Sequence, residues 1–233
     1  MGYLKVKRFF DILISGILLI ILSPVMLIVA IAVKLDSKGE IIFKQNRLTK
    51  DGRVFQMYKF RSMCQNAQNM GTGINNYAGD FRVTRVGGFI RKTSLDELPQ
   101  LVNVLKGDMS LIGPRPPVEK LSLGDYEDLT PEYKKRFQVK GGITGLAQVN
   151  GRNELPWEEK IIYDNRYVDR LKKEGIKVDL EILFKTVAVV LGKEGILEEK
   201  DEALSGKSDE EVRNAVLEKN HKMAGKSRDR QEK

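Results

Sequence analysis

The sequence predicts an α+β, mostly helical protein with an N-terminal membrane anchor and a small β-hairpin. Three observations predict this class: an uncharged apolar run over residues 12–33, alternating residues around Asp51-Gly52, and later stretches with helical periodicity. A chain of 233 residues is one domain, or one domain with appendages. We expect an anchor over residues 1–36, a cytoplasmic domain at the membrane interface over residues 37–191 and a charged, flexible tail over residues 192–233.

The apolar run is interrupted near its middle by Ser23-Pro24. At about 1.5 Å per residue the run is long enough to cross the core of a bilayer. Pro24 cannot donate a hydrogen bond to the carbonyl of Ile20, so the Ser23 hydroxyl is expected to bind that carbonyl. Both flanks are basic, which leaves a simple span without a clear orientation. We predict a re-entrant helix that bends at Ser23-Pro24 and returns to the cytoplasmic face of the inner membrane; a straight span with a tolerated proline stays open.

The composition excludes several kinds of chemistry. Formal net charge is +8, which suits anionic headgroups or phosphate-bearing substrates. No helix-turn-helix, zinc-finger spacing or aromatic-basic RNA motif is present, so we predict no nucleic-acid partner. The single cysteine, Cys64, excludes a cysteine metal cluster, and the single histidine, His221, lies in the polar tail, which argues against a Ser-His-Asp triad. Carboxylates, lysines, arginines and a hard metal ion remain as catalytic groups.

The elements after the anchor follow from local patterns. Residues 41–60 alternate on either side of Asp51-Gly52 and predict the hairpin. Leu98, Leu101, Val102 and Leu105 are spaced i, i+3, i+4, i+7, which predicts a helix that buries this face. The remaining expectations are helices over residues 125–137, 157–171 and 180–191, the last buried or interfacial, a mobile loop over 64–80 and a rigid turn over 113–117.

Two adjacent carboxylates, Asp96 and Glu97, follow Arg91-Lys92 at an expected helix start. Ser94 and Glu97 have the spacing of a capping box, in which both carboxylates would only stabilise the helix. Spacing alone favours that interpretation. A second interpretation is catalytic: a helix N-terminus suits a phosphate, one carboxylate can attack phosphorus, and its neighbour can bind Mg²⁺.

Longer motifs follow one another along the chain: YKFRSM at 58–63, GDFRVTRVGGFIRKTSLDELPQ at 79–100, NVLKGDMSLIGPRP at 103–116, GGITGLAQ at 141–148 and GRN at 151–153 with Trp157. Together they resemble the bacterial sugar transferase family, in its small monotopic form. The resemblance runs from the anchor to about Leu191. It implies an enzyme that moves a sugar-1-phosphate from a UDP-sugar to undecaprenyl phosphate and so starts the assembly of a surface glycan.

The resemblance also implies roles for single residues. Asp96 is expected to attack the β-phosphorus of the UDP-sugar and form a covalent phosphosugar-aspartate, which undecaprenyl phosphate then attacks. Glu97, together with Asp96, is expected to bind Mg²⁺, and Arg91 is expected to meet the polyprenyl phosphate. The Pro-Arg-Pro segment is associated with the nucleotide. The expected substrate-binding residues are Lys59, Arg61, Arg91, Pro114, Arg115, Pro116, Asp164 and Asp179.

Some alternatives stay open at this point. The segment at 151–153 with Trp157 resembles members that use N-acetylated amino sugars, and UDP-glucose or UDP-galactose is the alternative donor. One alternative function is a membrane-tethered adaptor that has lost catalysis, and a second, based on charge alone, is a nucleic-acid-binding membrane protein. A homodimer formed through the anchor or the helix over 180–191, and contacts with downstream glycosyltransferases, are further expectations.

Overall fold

The computed structural model describes residues 2–67, 70, 80–119, 126–151 and 155–192. The expected tail after Gly192, most of the expected loop over 64–80, and Arg152-Asn153 lie outside these residues. The described part is mostly helical, with two small two-stranded sheets. Its helices and strands are α1 (Gly2–Asp36), β1 (Ile42–Leu48), β2 (Val54–Phe60), α2 (Arg85–Lys92), α3 (Gln100–Lys106), β3 (Ser110–Ile112), α4 (Pro131–Lys135), β4 (Gly142–Thr144), α5 (Trp157–Glu174) and α6 (Ile176–Gly192).

Helix α1 is 35 residues long and contains Pro24. The Ser23 hydroxyl donates to the carbonyl of Ile20 at 2.8 Å, which confirms the predicted substitute for the hydrogen bond that proline cannot make. Most of its apolar side chains are exposed; Ile20 is 75% exposed and Ile28 67%. By length and composition α1 can cross a membrane. An apolar surface of this extent is typical of a helix that contacts lipid.

Both ends of α1 are bound to the rest of the protein. Near the N-terminal end, the Arg8 guanidinium donates to the carbonyls of Val104 and Leu105, at 2.6 and 2.9 Å. Near the C-terminal end, Val29 and Val33 are buried in a cluster with β2 and α2. The middle of the helix is therefore exposed between two docked ends.

Strands β1 and β2 form the predicted hairpin, with Ile42 opposite Phe60 and Leu48 opposite Val54. Asp51 and Gly52 at the turn have φ angles of 57° and 74°, the left-handed conformation that this dipeptide tolerates.

Helix α3 buries a different face from the predicted one. Leu101 is buried as expected, but Val102 and Leu105 are each 36% exposed, whereas Asn103 and Val104 are fully buried. Asn103 lies inside because its amide donates to the Gln56 carbonyl at 2.7 Å and its side-chain oxygen accepts from the Tyr58 amide at 2.9 Å. The buried face of α3 therefore includes a polar residue, Asn103, because its side chain hydrogen-bonds backbone groups of β2.

The C-terminal half of the domain packs around a short parallel pair of strands, β3 and β4. Helix α5 confirms the helix predicted over residues 157–171, and it buries Ile161, Val168 and Leu171. The prediction of a single helix over residues 125–137 is wrong. The described structure there consists of a 3₁₀ turn at Tyr126–Asp128, the short helix α4 and a second 3₁₀ turn at Arg136–Gln138. Pro131 starts α4 after Thr130, whose hydroxyl accepts from the Tyr133 amide at 3.4 Å.

Helix α6 has one buried and one exposed apolar face. Val178 and Ile182 are fully buried, but Phe184 is 73% exposed and Val187 54%. The helix is thus neither wholly buried nor polar on its outer side.

Candidate active site

Asp96 and Glu97 lie on a tight turn between α2 and α3. Ser94 has a φ angle of 57°, and a single 3₁₀ turn over Leu95–Glu97 follows it before Pro99 leads into α3. The capping box favoured by spacing alone does not form, because the Ser94 side chain makes no capping hydrogen bond. The turn instead directs the Glu97 carboxylate toward two basic side chains from other parts of the chain.

Glu97 joins three segments through its carboxylate. Its Oε1 atom accepts from the Lys59 ammonium on β2 at 2.9 Å and from the Arg115 guanidinium at 2.5 Å. Although burial opposes ionisation, the charges of Arg115 and Lys59 keep the pKa of Glu97 well below its ordinary value. Burial lowers the pKa of Lys59, against the effect of Glu97. Glu97 is therefore an ionised acid at neutral pH.

The pKa of Asp96 is shifted in the opposite direction from that of Glu97. It is 8% exposed, and no described residue donates a hydrogen bond to its carboxylate. Burial raises the pKa of Asp96 to about 6; the charge of Lys59 opposes this rise and that of Glu97 adds to it. Two neighbouring carboxylates with widely separated pKa values are typical of sites that use them in two different roles.

Arginine side chains surround this pair. Arg91, at the end of α2, lies near enough for its charge to lower the pKa of Asp96. Arg115 lies on the Pro-Arg-Pro turn (residues 114–116), which is non-helical as predicted. The carbonyl of Pro114 accepts from the Gly142 amide at 2.9 Å, which fixes the start of the turn on β4. The structure thus brings together Lys59, Arg91, Asp96, Glu97 and Arg115, all of which the sequence analysis named as candidate site residues.

Three predicted site residues lie elsewhere. The Arg61 guanidinium donates to the carbonyls of Val33, Ser37, Lys38 and Glu40 and so caps the end of α1. Asp179 accepts from Tyr3 at 2.6 Å, Lys7 at 2.7 Å and Tyr167 at 2.9 Å, and so joins the start of α1 to α5 and α6. Asp164 is 1% exposed and pairs with Arg136 at 2.8 Å.

Two residues that the sequence did not single out are connected to the site. Arg47 on β1 donates to the carbonyl of Pro116 at 2.9 Å, and Arg136 donates to the carbonyl of Arg115 at 2.6 Å. Both contacts join positions 21 or more residues apart. No local spacing could have indicated them.

The described residues contain no group of three or more His, Cys, Asp or Glu side chains that could bind a metal alone. Asp96 and Glu97 nevertheless fit Mg²⁺, which is commonly bound by one or two carboxylates together with substrate phosphates and water. The carboxylate of Asp96, which is buried and has no hydrogen-bond donor among the described residues, is the feature that a cation would compensate.

Comparisons with known proteins find a matching family model and several similar proteins. Residues 2–193 match the sequence model of a family described as bacterial sugar transferase. The chain is 46% identical over 186 residues to a UDP-glucose:undecaprenyl-phosphate glucose-1-phosphate transferase of Klebsiella pneumoniae, covering 78% of this chain and 39% of that protein. It is 44% identical over 192 residues to a UDP-N-acetylgalactosamine-undecaprenyl-phosphate N-acetylgalactosaminephosphotransferase of Aeromonas hydrophila, covering 81% and 44%.

The chain thus spans less than half the length of these two relatives. A third relative is similar in length: an exopolysaccharide production protein of Rhizobium leguminosarum bv. phaseoli is 40% identical over 191 residues, covering 79% of this chain and 94% of that protein.

Proposed function

Because the chain belongs to the bacterial sugar transferase family, we propose that it is a phosphoglycosyl transferase that moves a sugar-1-phosphate from a UDP-sugar to undecaprenyl phosphate. The observation that carries the proposal is the pair formed by Asp96 and Glu97: the Glu97 carboxylate is neutralised by Lys59 and Arg115, and the Asp96 carboxylate is buried with no donor among the described residues. The proposed product would start the assembly of a surface glycan such as a capsule or exopolysaccharide.

The proposed reaction has two displacements at one phosphorus atom. A carboxylate oxygen of Asp96 attacks the β-phosphorus of the UDP-sugar, the bond from that phosphorus to the bridging oxygen breaks, and UMP leaves with the bond's electron pair. A phosphate oxygen of undecaprenyl phosphate then attacks the same phosphorus and displaces the aspartate oxygen. Covalent catalysis of this kind divides one difficult transfer into two.

The basic side chains suit the proposed substrates. Lys59, Arg91 and Arg115 place three positive charges near Asp96, which favours a diphosphate over a neutral ligand. The metal we propose is Mg²⁺ bound by Asp96 and Glu97, and it would neutralise charge on the diphosphate when bound. In this proposal Lys59 and Arg115 also orient the Glu97 carboxylate beside Asp96.

For the anchor we propose the re-entrant geometry, with the domain on the cytoplasmic side of the inner membrane. In a straight α-helix residues 8 and 29 would lie about 31 Å apart, at 1.5 Å per residue. Arg8 contacts the last turn of α3, while Val29 packs in the cluster that contains Leu98, just before α3. Residues 98–105 cover only about 10 Å of helical rise, so the two contacts favour a bend at Pro24.

A cysteine-labelling experiment tests this geometry. In a Cys64→Ser background, Lys5→Cys should react with a membrane-impermeant maleimide only from the cytoplasmic side, and so should Lys38→Cys. With Pro24→Ala added, we expect one of the two positions to become accessible from the other side, because a straight helix would span. Opposite accessibilities of the two positions without that substitution would contradict the re-entrant helix.

For the donor we propose an N-acetylated amino sugar attached to UDP, with UDP-glucose and UDP-galactose as alternatives. The relatives named above use different sugars at nearly equal identity to this chain, 46% and 44%. Overall similarity therefore does not select the donor, and a panel of donors is needed.

The function is tested by UMP release from a panel of UDP-sugars, with and without undecaprenyl phosphate and with and without Mg²⁺. The full chain is used in lipid nanodiscs. We expect release to require Mg²⁺ and one preferred sugar, and to fall by roughly 10³-fold or more in Asp96→Asn. Asp169→Asn is the control, because Asp169 lies on the surface of α5 in a pair with Lys135. Folded protein that releases no UMP from any donor would favour the tethered adaptor.

A further inference from the structure

The Pro-Arg-Pro turn is held by two arginines that come from distant parts of the chain. Arg136 donates to the carbonyl of Arg115 at 2.6 Å. Arg47 donates to the carbonyl of the next residue, Pro116, at 2.9 Å. Two consecutive backbone carbonyls, one of them belonging to the arginine that binds Glu97, are thus fixed by two separate guanidinium groups.

Burying the charged side chain of Arg136 costs folding free energy. It is 2% exposed, pairs with the equally buried Asp164 at 2.8 Å, and lies over the Trp157 ring at 5.1 Å. Its Nε and Nη1 atoms, and the Oδ1 atom of Asp164, have no hydrogen-bond partner among the described residues. A buried ion pair that is only partly satisfied adds little stability compared with apolar residues of the same volume. Among the described residues, the backbone contact that Arg136 makes with its side chain is to the carbonyl of Arg115, and this contact gives the buried guanidinium a specific use.

The orientation of the Arg47 guanidinium plane is fixed by a neighbour on the same strand. Its Nε and Nη2 atoms both donate to the side-chain oxygen of Gln45, at 3.0 and 2.7 Å. The third contact, from Nη1, is then directed at Pro116. The next residue, Leu48, donates its backbone amide to the carbonyl of Pro117 at 3.0 Å. The end of β1 is therefore also bound to the residue that follows the turn.

We infer that Arg47 and Arg136 are positioning residues for Arg115, and that Asp164 acts through Arg136. By holding the two consecutive carbonyls of Arg115 and Pro116, they keep the Arg115 side chain directed at Glu97 before substrate arrives. Such preorganisation lowers the cost of binding because the donor does not have to be ordered on substrate binding. The inference rests on the proposed function, in which Arg115 meets the nucleotide diphosphate.

The first test compares steady-state constants for Arg136→Lys and Arg47→Lys with those of the parent chain. Lysine keeps the positive charge but cannot contact two partners in one plane as a guanidinium does. We expect the KM for the UDP-sugar to rise about tenfold and kcat to change by less than about threefold, because Lys59 still binds the Glu97 carboxylate and the lost contact acts mainly on substrate binding. Arg82→Lys is the matched control: Arg82 is a fully buried arginine that pairs with Asp80 at 2.6 Å and donates to the carbonyls of Ala67 and Met70. An equal rise of KM in that control would overturn the inference.

The second test asks whether the two arginines act through Arg115. In an Arg115→Ala background, Arg136→Lys should change KM by less than twofold, since the side chain that it positions is absent. Additive effects of the two substitutions would overturn the inference. Should Arg136→Lys fail to fold, Arg47→Lys in the same background decides, because Arg47 is less buried.

Failure of this inference and failure of the proposed function give different results. If the parent chain releases no UMP, the function fails, and calorimetric binding of UDP to the full chain then replaces KM. In that assay the inference predicts a Kd about tenfold higher for both lysine variants and an unchanged Kd for Arg82→Lys. If UMP is released normally and both lysine variants match the parent, the function stands and the inference is overturned.

Discussion

Asp96 and Asp179 are both buried aspartates with lysine nearby, yet their surroundings are opposite. Asp179 accepts hydrogen bonds from Tyr3, Lys7 and Tyr167. Asp96 accepts none from the described residues, and burial raises its pKa to about 6. A buried carboxylate with three donors contributes to stability, whereas one without a donor costs stability and has free lone pairs for chemistry. The difference separates a structural acid from a catalytic candidate of the same residue type.

The most direct way to break this comparison is Asp96→Asn. At pH 7 the buried Asp96 is charged at a cost to the folded state, so a neutral amide of the same shape should leave the melting temperature unchanged or higher. UMP release should nevertheless fall by roughly 10³-fold. Differential scanning fluorimetry and the UMP assay are run on the same sample. A large drop in melting temperature would place Asp96 with Asp179 as a structural acid.

Asp179→Asn should give the reverse result. The amide loses the charge that pairs with Lys7 and part of its capacity to accept from Tyr3 and Tyr167, which is expected to cost about 2 kcal/mol of unfolding free energy. For a chain of this size that corresponds to roughly 4–8 °C in melting temperature. The kcat of the folded fraction should change by less than about threefold, since Asp179 does not touch the site. A loss of kcat comparable to that of Asp96→Asn, with unchanged stability, would contradict the assignment.

The pH dependence of stability sharpens the comparison. The folded-state pKa of Asp96 lies above its ordinary value, so the folded state binds more protons than the unfolded state between about pH 4 and pH 6. The stability contributed by the neutral acid is complete below this range and is lost as the pH rises through it. In Mg²⁺-free buffer, the difference in unfolding free energy between Asp96→Asn and the parent chain should therefore grow from pH 4 to pH 6 and then level off. Urea titrations measure it, and a difference that is independent of pH would contradict the raised pKa.

The sequence predicted features that depend on neighbours in the chain. The hairpin follows from alternation around Asp51-Gly52, and the Ser23 hydrogen bond follows from the adjacent proline. The resemblance to the family indicated Asp96 and Glu97 although their local spacing favoured a capping box. Features that depend on distant partners were not predictable. Asn103 is buried because it binds the hairpin backbone 47 positions away.

The same limit applies to the site. Arg61 and Asp179 were expected at the substrate, but both instead dock the two ends of α1. The expectation failed because residue type alone does not reveal what a side chain binds. Arg136 was not singled out because its partner, the carbonyl of Arg115, carries no signal of its own in the sequence. A charged residue in a family motif is therefore compatible with docking, positioning or chemistry, and only its contacts distinguish the three roles.

The smallest expected effect lies in α1, where two uncharged serines differ as Asp179 and Asp96 do: one is hydrogen-bonded and the other is buried without a partner among the described residues. The Ser23 hydroxyl donates to the carbonyl of Ile20, whereas the Ser15 hydroxyl is fully buried with no partner among the described residues. Ser23→Ala leaves that carbonyl without its donor and should cost about 0.6 kcal/mol, a typical value for a hydrogen bond inside a membrane protein. Ser15→Ala removes an unsatisfied group and should leave stability unchanged or slightly higher. Thermal unfolding of both variants in nanodiscs measures the difference; equal losses would mean that hydrogen bonding does not distinguish the two positions.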